Sequence, residues 1–208
     1  MNVTETLFSA RLVAIYRGDY RGRWSAVTEA LQAGGIVVIE VTLNSPEALS
    51  GLRELRKAFG ERMVIGAGTV LSAEQVHSVF EAGAQFIVAP NTDDRVIEAC
   101  HKRGLPVIPG AYTPTEVVHA FEAGVTMVKL FPATTPAYVQ AVHAPLDQIP
   151  LMVTGGVNTE NAVEYLRAGA SALGLGSSLT KPDLPLSEIT ARAKALVAAV
   201  ALYHEQSR

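Results

Sequence analysis

The residue that most invites a chemical reading is Lys129, inside the run TMVKLFPAT at 126–134. A charged amine within an apolar run is costly unless it is paired or used. Read as a strand, Val128 and Leu130 share one face, and Lys129 lies on the other with Met127 and Phe131. Two structural explanations stand open. The side chain snorkels to water along its own stem, or it pairs with a carboxylate. The chemical explanation is that desolvation lowers the amine's pKa and makes it a nucleophile toward a ketone. Glu40, flanked by Ile39 and Val41, is the matching carboxyl. It would serve as ion-pair partner or as proton shuttle. Lysine with glutamate, and no set of metal ligands, suits covalent carbonyl chemistry. The histidines, His77, His101, His119, His143 and His204, fall mostly in helix-like segments and lack H-x-x-H or H-E-x-x-H spacing. Neither a metal nor an external cofactor is expected.

Two glycine stretches form a second group. TGGV (154–157) leads to Asn158, a good helix cap, and GLGSSL (174–179) runs toward a further helix. Each alone reads as an ordinary turn. Bare amides at two neighbouring helix entrances would make an anion site, so together they point to a phosphorylated ligand.

These residues need elements to bring them together. β-rich runs recur at 12–16, 36–41, 63–68, 85–90, 106–110, 127–131, 151–155 and 172–176. Several are apolar on both faces, as a helix-covered parallel sheet requires. Helical segments lie between them. Ser45-Pro46 reads as an N-cap with proline at the first helical position, and Ser72 with Gln75 and Thr113 with Glu116 read as capping boxes. Gly34, Gly60, Gly83, Gly104, Gly124 and Gly169 read as helix stops with positive φ. The pattern predicts eight strand–helix units with one extra N-terminal helix: an α/β protein, a (β/α)8 TIM barrel in one domain, 1–208. An open doubly wound sheet is the alternative, disfavoured because no GxGxxG opens the first unit. In a barrel, chemistry sits where the strands end. The polar ends are Arg17, Glu40 with Thr42, Thr69, Asn91, Tyr112, Lys129, Thr154 with Gly155 and Gly156, and Gly176 with Ser177 and Ser178. Singly, each is as well explained by a salt bridge, β propensity or a turn. Converging on one pocket, they become a site.

Bulk properties agree with a small-molecule enzyme. Of 208 residues, 49% are hydrophobic and 18% charged, and the net charge is -3. No basic stripe suggests a nucleic-acid partner. No apolar run approaches the ~20 residues that span a bilayer, and the start of the chain lacks a secretory pattern. Cys100 is the only cysteine, in a helix-like segment where it reads as a packing residue. A reducing, cytoplasmic compartment is expected.

EVTLNSPEAL (40–49), VIGAGTVL (64–71), IVAPN (87–91), VIPGAYTPTE (107–116), VKLFPA (128–133), TGGV and LGLGSSL (173–179) together resemble the 2-keto-3-deoxy-6-phosphogluconate aldolase family, in order and over nearly the whole chain. The resemblance implies a class I aldolase on a (β/α)8 barrel, working without a cofactor as a homotrimer. Its partners would be a phosphorylated sugar acid and pyruvate. It makes Lys129 the Schiff-base lysine and Glu40 the general acid/base. Thr69 would help hold the pyruvate carboxylate, and Gly155, Gly156, Gly176 and Ser177 the phosphate. One position departs: the gluconate type carries arginine after E-V-T-L, and here that residue is Asn44. The galactonate branch has N-S-P, an A-P-N or T-P-N turn, here ending in Asn91, and an arginine at the end of strand one, here Arg17. Arg17 is therefore expected to replace the missing carboxylate clamp, and the galactonate epimer is favoured. The loop GDYRGRW (18–24) departs from the family's helix entry. Other readings are a 4-hydroxy-2-oxoglutarate aldolase, a phosphosugar isomerase or epimerase with Glu40 as base, and a non-catalytic phosphosugar-binding barrel.

Overall fold

The computed structural model describes residues 2–206. Helices and strands alternate: α1 (Val3–Ala10), β1 (Leu12–Tyr16), α2 (Trp24–Ala33), β2 (Val38–Thr42), α3 (Ala48–Phe59), β3 (Val64–Gly68), α4 (Ala73–Glu81), β4 (Ile87–Val88), α5 (Asp94–His101), β5 (Val107–Ile108), β6 (Gly110–Ala111), α6 (Pro114–Glu122), β7 (Val128–Leu130), α7 (Pro136–His143), β8 (Leu151–Thr154), α8 (Ala162–Arg167), β9 (Ala170–Leu175) and α9 (Leu186–Gln206). The strands pair in parallel in the order β5-β4-β3-β2-β1-β9-β8-β7-β6. The two ends of that order are halves of one extended stretch, divided at Pro109. β5 bonds to β4 and β6 to β7, so the sheet closes into the expected (β/α)8 barrel. The open sheet is set aside. The fifth strand, expected whole at 106–110, splits because Pro109 has no N–H to donate. Its carbonyl still accepts from the Lys129 amide at 2.8 Å.

Alternation along each strand sorts its side chains into two cores. Val128 and Leu130 face the helices, in the larger core. Val13, Val38, Val64, Phe86, Ile108, Met127, Met152 and Ala172 point into the barrel and fill its N-terminal half. Leu7 of α1 joins that inner layer, so the extra helix plugs the barrel's lower end. Two residues further along β2, β7 and β8 the inward positions are Glu40, Lys129 and Thr154. Glycines make the room they need. A Cβ on Gly68 would come within 1.7 Å of Glu40 Oε1, and one on Gly174 within 2.3 Å of Thr154 Oγ1.

Local signals hold in part. Thr113 and Glu116 form a full capping box on α6. Ser72 caps α4 by accepting from the Gln75 amide, but Gln75 reaches back to Leu71 instead of Ser72. Ser45 is not the cap of α3, which begins at Ala48 after Glu47 in a left-handed conformation. Its hydroxyl instead accepts from the Gly18 amide at 3.1 Å and meets Thr42 Oγ1 at 2.9 Å. Gly83, Gly104, Gly124 and Gly169 have the expected positive φ, whereas Gly34 and Gly60 are right-handed, with Gly35 taking the turn beside Gly34. All five histidines lie in helices, and Cys100 is buried in α5 with its thiol pushed up to about 12 by desolvation. Among the described residues, no helix is long and apolar enough to cross a membrane.

Candidate active site

The C-terminal ends of β1, β8 and β9 surround a cavity of about 290 Å³. Its wall includes Ile15, Arg17, Phe131, Thr154, Gly155, Gly156, Gly176 and Ser177. Lys129 adjoins it through Phe131: Nζ lies 5.0 Å from the ring centroid. Lys129 is 2% exposed. Burial holds its pKa below the ordinary lysine value of 10.5; the Glu40 charge works against that shift and Arg17 reinforces it. Glu40 is fully buried, and desolvation raises its pKa against the opposing pull of Lys129 and Arg17. Neither carboxyl oxygen of Glu40 has a hydrogen-bond partner among the described residues, Lys129 included. The two groups therefore feel each other's charge without being joined. A structural ion pair would close that gap; an acid/base site needs it open for substrate.

Arg17 is exposed and lines the cavity. The loop that follows it, GDYRGRW, is anchored rather than loose. Tyr20 and Trp24 are buried with ring centroids 5.3 Å apart, and Arg23 Nη2 donates to the Leu184 carbonyl at 2.9 Å. Ser45 holds the Gly18 amide, so the Asn44-Ser45-Pro46 turn and Arg17 are mechanically linked.

The two glycine loops meet across the cavity. Gly155 and Gly156 have φ of 105° and 71°, which a side chain would resist. The amides of Gly155, Gly156, Gly176 and Ser177 have no intramolecular partner among the described residues. The sequence places them at helix entrances, but the helices begin further on. α8 starts at Ala162 and α9 at Leu186. Asn158, expected as a helix cap, lies four residues before α8 begins but makes the bonds of a cap on the turn leading into it: its side chain accepts from the amides of Glu160 and Asn161, at 2.8 and 3.1 Å, and its carbonyl from the Ala162 amide at 3.1 Å. An anion here would be held by a concave arrangement of loop amides more than by helix ends.

Two expected residues stand apart from this cavity. Asn91 lines a neighbouring cleft of about 260 Å³ with Pro90, Gly110, Tyr112, Glu116 and Phe131, the residue it shares with the first cavity. Thr69 lines neither cavity. It follows Gly68, the neighbour of Glu40, and has a φ of 58°, an outlier for a β-branched residue. In the sequence Thr154 reads only as a strand end. In the fold its hydroxyl is buried in the cavity wall with no partner among the described residues. Its sequence signal was its place two residues along from Met152, on the inward face of β8. Among the described residues, no group of three or more metal-ligating side chains gathers.

Known proteins share both sequence and architecture. The family model for KDPG and KHG aldolase matches residues 3–197. The 2-dehydro-3-deoxy-6-phosphogalactonate aldolase of Escherichia coli is 36% identical over 191 residues, covering 90% of this chain and 93% of that protein. A solved structure described as native KDPGal superposes with a TM-score of 0.89 at 35% identity, covering 93% of this chain and 96% of the other. The KDPG aldolase of Legionella pneumophila, solved with pyruvate captured as a covalent carbinolamine, superposes at 0.83 with 31% identity, covering 94% and 98%. The chain belongs to the KDPG and KHG aldolase family of carbon–carbon lyases.

Proposed function

We propose that this chain is a class I aldolase that cleaves a 2-keto-3-deoxy-6-phospho sugar acid to pyruvate and glyceraldehyde 3-phosphate. The observation that carries this reading is the buried, unpaired couple of Lys129 and Glu40 beneath a cavity walled by unpartnered amides. The neutral Lys129 amine attacks the C2 ketone, forming a C–N bond, and the carbinolamine loses water to give an iminium ion. Glu40, directly or through a water, takes the C4 hydroxyl proton. The C3–C4 bond breaks, and its electron pair enters the iminium to give an enamine. The aldehyde leaves. The enamine is protonated at C3, and water releases pyruvate and the free amine. Arg17 clamps the carboxylate in place of the arginine absent at Asn44, with Thr69 assisting through the turn after β3. Gly155, Gly156, Gly176 and Ser177 hold the phosphate. The carbinolamine in the Legionella relative supports the covalent route.

The galactonate epimer is favoured by Arg17, by the Asn44-Ser45-Pro46 turn and by the name of the Escherichia coli relative. Asn91 lines the neighbouring cleft, which shares Phe131 with the cavity. Family likeness also supports a homotrimer in the cytoplasm, and sedimentation of the purified protein checks the assembly. The direct test is cleavage of the gluconate and galactonate epimers, each with and without the 6-phosphate. The phosphorylated forms should win by at least ~10²-fold in kcat/KM. Equal cleavage of 4-hydroxy-2-oxoglutarate would defeat the phosphate assignment while leaving the imine chemistry intact.

A further inference from the structure

We infer that Ser178 is the positioning residue that holds the two phosphate loops at a fixed separation. The inference rests on the phosphate assignment above. The loops leave neighbouring strands whose pairing ends at Thr154 and Gly174, and neither runs straight into a helix, so beyond that pair no backbone ladder fixes one against the other. Ser178 joins them: its hydroxyl donates to the Val157 carbonyl at 2.6 Å. Ser178 is itself held from behind, where Arg192 Nη1 of α9 donates to its carbonyl at 2.8 Å and Arg192 Nη2 pairs with Glu188. The same loop is tied to β1 by Thr180 Oγ1, which donates to the Ile15 carbonyl at 2.9 Å. The loop after β8 is braced internally, with Asn161 donating to the Gly156 carbonyl at 2.9 Å and accepting from the Asn158 amide at 2.8 Å. Each loop is thus stiff by itself, and Ser178 Oγ is the side-chain bridge between them.

Adjacent serines consequently do different work. Both line the cavity. The Ser178 proton is committed to Val157, whereas the Ser177 hydroxyl has no partner among the described residues and is free to meet an anion. A cradle of amides recognises a phosphate only if its two halves keep their spacing. Losing the bridge should loosen phosphate recognition and leave the Lys129 end untouched.

The test compares wild type, Ser178→Ala and Ser178→Thr in four measurements. These are KM and kcat on the phosphorylated sugar acid, kcat/KM on its unphosphorylated counterpart, the borohydride trapping rate with pyruvate, and Tm. Ser178→Ala should raise KM for the phosphorylated substrate about 3- to 10-fold, the span of one net hydrogen bond. Trapping and the unphosphorylated rate should stay within about twofold. Ser178→Thr, which keeps the hydroxyl, should restore most of the loss. An unchanged KM in Ser178→Ala, an equal loss on both substrates, or no rescue by threonine overturns the role. If wild type itself shows no preference for the phosphorylated substrate, the phosphate assignment fails first, and that result is read before any variant.

Discussion

The surroundings of Lys129 are what a reactive amine needs. Burial disfavours its ammonium form, and Glu40 is near enough to oppose that shift but makes no hydrogen bond. The sign of the pH dependence follows. The neutral amine is the nucleophile, so trapping of pyruvate should rise with pH and reach its plateau below the ordinary lysine value of 10.5. Replacing Glu40 by glutamine removes a charge that favours the ammonium, so the rise should move to lower pH. A shift to higher pH in Glu40→Gln would contradict the electrostatic assignment. The same variant should lose sugar-acid cleavage by ~10²–10⁴, the usual range for a general acid/base, while still forming the imine. Cleavage within a factor of about two of wild type would remove Glu40 from the mechanism. Arg17 offers a forked, permanently charged group that lysine cannot copy. Arg17→Lys should weaken pyruvate more than the phosphorylated aldehyde in competition assays. Equal weakening of both, or none, would make it a surface residue.

At the scale of elements, the site depends on neighbouring strands leaving room for one another. β3 contributes Gly68, whose missing side chain leaves space for the Glu40 carboxyl. Gly68→Ala should push Glu40 from its place. It should lower stability by about 1–3 kcal/mol, the usual cost of overpacking, and lower cleavage at least ~10-fold. Denaturant unfolding and kinetics on the same sample check both. Much at this level was legible in the sequence. Apolar runs marked the strands, and the face shared by Met127, Lys129 and Phe131 placed the amine inside. What was not legible came from contacts distant in the chain. Ser45 looks like a cap until β1 supplies Gly18 as its partner. Asn91 looks like part of one pocket until the fold places it in a neighbouring cleft that shares Phe131 with the cavity. Thr154 looks like an ordinary strand residue until the closed barrel leaves its hydroxyl without a partner.

For the whole molecule, the barrel divides stability from chemistry along its axis. The lower half is an apolar plug that includes Leu7 from α1, and the upper half carries the charges. Leu7→Ala should therefore cost about 2–5 kcal/mol of stability in denaturant unfolding. It should leave the pyruvate trapping rate of the folded protein nearly unchanged; a loss of trapping in step with stability would show that the two halves are coupled. In the proposed mechanism the barrel holds one dehydrated amine against a ketone. The most direct measurement is incubation with pyruvate and borohydride, followed by peptide mass mapping, in wild type and Lys129→Ala. One pyruvate-derived adduct per chain is expected, located at Lys129, absent from the variant together with essentially all cleavage. An adduct on another lysine, or cleavage that survives in Lys129→Ala, would contradict it.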